Sequence, residues 1–184
     1  MPKLIAGAFV TLDNVVQDPG GFGEIEHGGW ALEYFDDLSR QRATDALLAS
    51  DTFLLGRVTY EILENAWSSN TGPYAEAMNN LPKAVVTSTL SGPLPWNATA
   101  LTGEAAQTVA KLKQERGGNI VMYGSFTLMR TLLQHGLIDE LNLGVHPVVV
   151  GAGRRLFDTV LPRSLRFVAA TPSATGVVTL TYAP

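Results

Sequence analysis

Phe53-Leu54-Leu55-Gly56-Arg57-Val58-Thr59-Tyr60-Glu61 is the stretch that decides the fold of this 184-residue chain. Its first three residues are an unbroken apolar run, the pattern of a short strand covered on both faces. Gly56 then permits a sharp turn and the approach of a ligand with no Cβ in the way. The helix read over 57–66 begins with unpaired N–H groups at the positive end of its dipole, beside the cation of Arg57 and the hydroxyl of Thr59. That combination suits a phosphate or pyrophosphate. The competing reading is a strand–glycine–helix joint kept for steric reasons alone.

The same device recurs downstream. Asn119-Ile120-Val121-Met122-Tyr123-Gly124-Ser125 is a buried strand, a glycine and a small hydroxyl residue, followed by a helix over 126–135. A third strand, Lys83 to Ser88, closes on the hydroxyls of Thr87, Ser88 and Thr89. In a parallel sheet these ends gather on one edge, where a dinucleotide could lie across them. An acid at a strand end would suit a free ribose 2′-hydroxyl. Hydroxyl donors without an acid, with Arg57 near, suit a 2′-phosphate better. Against this stands the simpler account that the hydroxyls start a turn. Neither a Gly-x-Gly-x-x-Gly after the first strand nor a P-loop is present.

Around these elements the chain reads as an α/β domain. Lys3 to Val10 is a central strand, with small Ala6, Gly7 and Ala8 at its middle; close approach by a helix or by a flat ligand ring would each explain them. Residues 11–30 form a glycine-rich loop, read as a lid or as disorder. Trp30 to Ala49 has helical spacing, and a short helix runs through Met78. Ala98 to Leu101 is a brief strand. Glu104 to Arg116 is an amphipathic helix stopped by Gly117-Gly118. Leu141 to Val150 is a strand interrupted by Pro147. Leu165 to Ala170 and Gly176 to Tyr182 are an antiparallel C-terminal pair. The expectation is one domain over residues 1–184: a mixed, mostly parallel sheet with helices on both faces and an antiparallel C-terminal edge.

Composition bounds the function. A net charge of −4 argues against a sequence-independent nucleic-acid binder, and no apolar run is long enough to span a membrane. The chain has no cysteine, which excludes disulfides and thiolate chemistry and fits a cytoplasmic protein. His27, His135 and His146 lack ligand spacing, so no metal site is expected. Ser125 lacks the second glycine of a nucleophile elbow. Asp13, Asp36, Asp37, Glu61 and Glu64 are the candidate proton donors, against the ordinary reading of each as a solvated surface acid.

Gly56-Arg57-Val58-Thr59-Tyr60-Glu61 resembles the Gly-Arg-x-Thr-Tyr/Trp-Glu signature of dihydrofolate reductases. The pattern is even more similar to the dihydrofolate-reductase-like group that contains the reductase domain of the bifunctional riboflavin-biosynthesis deaminase-reductase. Thr11-Leu12-Asp13-Asn14, Leu55 to Glu61, Lys83 to Leu90, Tyr123-Gly124-Ser125, Gly136 to Leu141 and Pro147 to Phe157 match in order. No deaminase segment precedes them, so the expectation is a reductase-type domain.

The resemblance implies a dihydrofolate-reductase-like fold, NADPH as hydride donor, a small planar heterocycle as substrate and a homodimer, with Asp139 to Val150 as its contact. The heterocycle would be a pterin, a flavin precursor or a pyrimidine, as for a 5-amino-6-(5-phosphoribosylamino)uracil reductase. Gly56, Arg57 and Thr59 would hold cofactor phosphates, and Thr87, Ser88 and Thr89 the adenosine 2′-phosphate. Tyr123, Gly124, Ser125, Thr127 and Leu128 would line the pyrophosphate and nicotinamide, with Ala8 and its small neighbours under the nicotinamide ring. Asp13, Asp36 and Asp37 stand nearest the proton donor. The chain departs from the folate enzymes where they carry Gly-Gly and it has Gly124-Ser125. The alternative is a nucleotide- or flavin-binding protein of the same fold without turnover.

Overall fold

The structure, a computed structural model, describes residues 2–115, 117–158 and 163–184. Among these described residues nine strands form one sheet in the order β4-β5-β3-β2-β6-β1-β7-β9-β8. They are β1 (Leu4–Thr11), β2 (Ser50–Gly56), β3 (Lys83–Val86), β4 (Pro93–Leu94), β5 (Ala98–Leu101), β6 (Asn119–Tyr123), β7 (Glu140–His146), β8 (Arg166–Pro172) and β9 (Val178–Ala183). The six from β5 to β7 along the sheet pair in parallel, and β4, β9 and β8 pair antiparallel. The C-terminal ends of β3, β2, β6, β1 and β7 therefore share one edge, as expected from the sequence.

Among the described residues five helices cover the sheet: α1 (Asp37–Leu48), α2 (Arg57–Trp67), α3 (Pro73–Asn80), α4 (Ala105–Glu115) and α5 (Phe126–Gln134). Side chains alternate across each strand, so the sheet carries two cores. Leu4, Ala6, Ala8 and Val10 of β1 join Val109 and Leu112 of α4 and the Leu128-Met129/Leu132-Leu133 stripe of α5 in one cluster. Phe53, Leu55, Val85 and Val121 pack on the other face with Leu47 of α1, Tyr60 of α2 and Met78 of α3. At roughly 1.5–3 kcal/mol for each large apolar side chain buried, these two layers fix which strand face meets which helices.

Several sequence expectations need correction. Trp30 to Ala49 is not one helix: a single 3-10 turn, Leu32–Tyr34, precedes α1. The cause is Asp36, whose carboxylate accepts the Ser39 N–H (2.7 Å) from extended backbone and so caps α1 at that point. β3 ends at Val86, because Thr87 Oγ1 accepts the N–H groups of Thr89 and Leu90 and turns the chain there. β7 stops at His146, ahead of Pro147, rather than running to Val150. It pairs with β1 on one side and β9 on the other. The expected end of α4 at Arg116 lies outside the described residues.

The loop over 11–30 is ordered around Asp18. Its carboxylate accepts N–H groups from Phe22 (2.5 Å), Gly23 (3.2 Å), Glu24 (2.9 Å) and Ile25 (3.4 Å). Its own carbonyl accepts from Gly21 and Gly29. A Cβ at Gly28 would stand 2.0 Å from Asp18 Oδ2, so only glycine closes this turn.

Candidate active site

Two strand-to-helix turns, Gly56 into α2 and Gly124-Ser125 into α5, stand side by side on the adjacent strands β2 and β6. They are tied reciprocally. The Gly56 N–H donates to Ser125 Oγ (2.8 Å), and the Ser125 N–H donates to Thr59 Oγ1 (3.0 Å). Ser125 sits at φ 56°, and Gly124 at φ +66°. The left-handed conformation costs a non-glycine residue about 1–2 kcal/mol. Two hydrogen bonds at about 1 kcal/mol each offset that cost, so Ser125 holds a turn that glycine would adopt freely. Gly56 itself lies at φ −87°, an ordinary extended value. A Cβ at Gly56 would meet the Ser125 side chain at about 3.5 Å, an ordinary van der Waals contact.

Neither helix N-terminus is closed by a capping side chain. The first N–H groups of α2 and α5 thus leave two dipole ends on one edge, suited to anions. Arg57 stands over the first of them, half-exposed and paired with Glu61 (2.8 Å) one turn along. Thr87 is buried and occupied in its turn, whereas Ser88 and Thr89 on β3's far end are exposed. Thr127 is exposed on α5, and Leu128 is in the core beside Ala8. The cofactor candidates therefore follow four neighbouring strands, β3-β2-β6-β1, a path of about 14 Å at the usual strand spacing.

In the small middle of β1, Ala6 and Ala8 lie in the cluster built with α4 and α5, while Gly7 makes room for a ring of the neighbouring strand. A Cβ at Gly7 would come within 2.8 Å of the Tyr123 ring from neighbouring β6. That ring also meets Phe53 edge-on, and burial pushes its phenol up to about 12. The Tyr123 ring is thus a packed wall of the edge.

The three candidate acids are set apart. Asp13 accepts from Thr11 Oγ1 (2.6 Å), Val150 N (3.2 Å) and Gly151 N (2.8 Å), which clamps the loop after β1 to the loop after β7. The Thr11 hydroxyl and then the two backbone donors hold its carboxyl below the usual range. Asp36 is held low by its hydrogen bonds with Ser39. Asp37 is fully exposed, 3.8 Å from Arg40.

Sequence reasoning missed His146. It is buried at the end of β7 among the rings of Phe9, Trp30 and Tyr34, with centroids 5.2, 5.2 and 5.6 Å away. Burial lowers its pKa, so the ring is neutral at pH 7. No local motif announces this cluster, since its members come from three distant segments. A cleft of about 390 Å³ opens between Phe22 of the Asp18 loop and Val58, Glu61, Ile62 and Asn65 of α2. A larger groove, about 650 Å³, lies at the opposite edge between α1 and α3, away from every candidate residue. Among the described residues no cluster of His, Cys, Asp or Glu could hold a metal, and no helix is long and apolar enough to cross a membrane.

The profile of the RibD C-terminal domain matches residues 2–179. The chain belongs to the RibD C-terminal domain family. It is 30% identical over 185 residues to the uncharacterized protein YyaP of Bacillus subtilis (strain 168), covering 98% of this chain and 94% of that protein. Among solved structures it is similar to a deaminase/5-amino-6-(5-phosphoribosylamino)uracil reductase from Thermotoga maritima (TM-score 0.69, 15% identity), spanning all of this chain and 56% of that one. It is also similar to the dihydrofolate reductase of Enterococcus faecalis, solved with NADP(H) (TM-score 0.64, 16% identity, 98% and 95% covered). A protein of Shewanella sp. PV-4 assigned to riboflavin biosynthesis superposes at a TM-score of 0.77 with 19% identity, covering 98% of both chains. This RibD C-terminal domain therefore has the dihydrofolate-reductase-like fold, and its family gives it a reductase-type framework.

Proposed function

We propose that this RibD C-terminal domain is an NADPH-dependent reductase of a small planar heterocycle of pterin, flavin-precursor or pyrimidine type. One observation carries the reading: two uncapped helix N-termini held side by side by the Gly56–Ser125–Thr59 hydrogen bonds. That pair fits the pyrophosphate of a dinucleotide. Arg57 released from Glu61, with Ser88 and Thr89, would take the 2′-phosphate at the β3 end. Tyr123, Gly124, Ser125, Thr127 and Leu128 would follow the chain toward the nicotinamide over Ala8.

NADPH when bound supplies a hydride, two electrons with a proton, and leaves as NADP⁺. The hydride would add to a ring carbon of a C=N or C=O group, and the neighbouring nitrogen or oxygen would take a proton. This chain's residues orient the two rings across the cleft and exclude water with Phe22, Val58 and Ile62. Asp13 and Asp36 are committed acceptors held ionised, so their role would be positional: Asp13 fixes the loop after β1 against the loop after β7, and Asp36 fixes the start of α1. Asp37, or water entering beside it, would deliver the proton. The same commitment of Asp13 and Asp36 favours the second reading, a nucleotide- or flavin-binding protein without turnover.

Arg57→Ala tests the cofactor assignment. NADPH affinity should fall at least tenfold while NADH affinity changes little, measured by nicotinamide fluorescence titration. Equal losses for both would remove the 2′-phosphate role.

A further inference from the structure

Arg57 and Glu61 form an ion pair that reaches from the start of α2 into the cleft. Arg57 is the first residue of α2, at a helix start that no side chain caps. Its Nη1 donates to Glu61 Oε2 at 2.8 Å, one turn along. Glu61 in turn lines the 390 Å³ cleft, in a helical stripe with Val58, Ile62 and Asn65 that meets Phe22. Of that lining only Glu61 is charged. One partner of the pair thus stands at the proposed phosphate end and the other in the cleft.

The pair is readily exchanged. Its side chains are 42% and 47% exposed, where an ion pair contributes little. Its direction is also the weaker one, because a helical carboxylate is better placed N-terminal to its cation, toward the positive end of the dipole. Here the cation sits at that end and the carboxylate one turn inside. A phosphate at the helix start offers the Arg57 fork a stronger, two-pronged partner than one oxygen of Glu61. Once Arg57 turns to it, no cation of α2, α3 or the loop between them takes its place, because residues 58–82 contain no lysine or arginine. Lys83, the next in the chain, is engaged by Asn79 O and the Trp96 ring. Glu61 is then a free carboxylate on the wall of an otherwise uncharged cleft.

We infer that this pair couples the cofactor to the substrate: a 2′-phosphate draws Arg57 away and uncovers Glu61, which then accepts the N–H groups of an amino or amidinium substituent on the heterocycle. The coupling runs both ways, since a group that occupies Glu61 also frees Arg57 for the phosphate. NAD(H), which has no 2′-phosphate, leaves the pair closed. Glu61 is therefore a specificity-determining residue for the cleft and a competitor of the cofactor phosphate. This rests on the NADPH reading, because it takes Arg57 as the ligand of the 2′-phosphate.

The test uses the full chain and two one-ring probes of similar size and opposite charge, benzamidine and benzoate. Each is titrated by calorimetry beside saturating NADP⁺ and beside saturating NAD⁺, after the binding of both dinucleotides has been measured. Benzamidine should bind about two- to fivefold tighter beside NADP⁺ than beside NAD⁺, the scale of one exposed ion pair, and benzoate should not. In Glu61→Gln that ratio should fall to one, and NADP⁺ itself should bind about two- to fivefold tighter than to wild type, with NAD⁺ unchanged. Equal benzamidine affinity beside the two dinucleotides, no benzamidine binding, or a ratio preserved in Glu61→Gln would each overturn the inference. So would benzoate that binds more tightly than benzamidine and competes with NADP⁺, which would assign Arg57 to an anionic substituent in the cleft. Failure of NADP⁺ to bind would overturn the cofactor reading and this inference with it, whereas NADP⁺ that binds without coupling overturns the inference alone.

Discussion

Ser125 combines a left-handed backbone with two hydrogen bonds that hold it. Its left-handed backbone is held by Gly56 N–H on its hydroxyl and by Thr59 Oγ1 on its own N–H. Removing the Thr59 acceptor leaves that N–H unpaired in a partly buried turn, a cost of about 1–3 kcal/mol. Thr59→Val should lower stability by that amount in urea unfolding and weaken NADPH binding in parallel; unchanged stability would mean that water replaces the hydroxyl. Lys83 is a second instance. Its ammonium donates to Asn79 O (2.9 Å) and lies 4.2 Å from the centre of the Trp96 ring, yet burial lowers its pKa to about 8. The folded state then binds fewer protons than the unfolded chain between about pH 8 and the ordinary lysine value. Stability contributed by this group should therefore rise with pH across that window, and the rise should vanish in Lys83→Met. A wild-type profile parallel to the variant's would contradict it.

At the scale of elements, what the sequence made legible and what it concealed follow one rule. β2, α2, β6 and α5 were readable because apolar runs, a glycine and a hydroxyl lie within a few residues of each other. The late start of α1 was concealed because helical spacing ran through Trp30 to Ala49, and the stop comes from a cap, Asp36, inside that pattern. The Asp18 loop was concealed because its glycine content reads equally as mobility. Its order depends on one carboxylate meeting four N–H groups in space. Asp18→Ala removes the carboxylate that accepts all four bonds. It should raise amide exchange at Phe22 to Ile25 by orders of magnitude and open the loop to protease, with a smaller effect on β2 and β6. Gly28→Ala should do the same, since its Cβ would meet Asp18. Protection equal to wild type in both variants would show that other contacts hold the loop.

For the molecule as a whole, the sheet order places β3, β2, β6 and β1 in the sequence a dinucleotide would follow. The family and the fold were readable from motifs that span nearly the whole chain. The His146 cluster and the reciprocal Gly56–Ser125–Thr59 tie were not, because both join residues that only the folded sheet brings together. The central claim is that this edge holds NADPH. Thermal unfolding of the wild-type chain with NADPH, NADH, FMN or no ligand tests it most directly, since a ligand at a hundred times its Kd stabilises the folded state by about 2.7 kcal/mol. A rise in Tm of several degrees with NADPH, and much less with NADH and FMN, is the predicted result. No shift with NADPH at millimolar concentration would mean that the two helix starts are structural joints, and the cofactor assignment would fall.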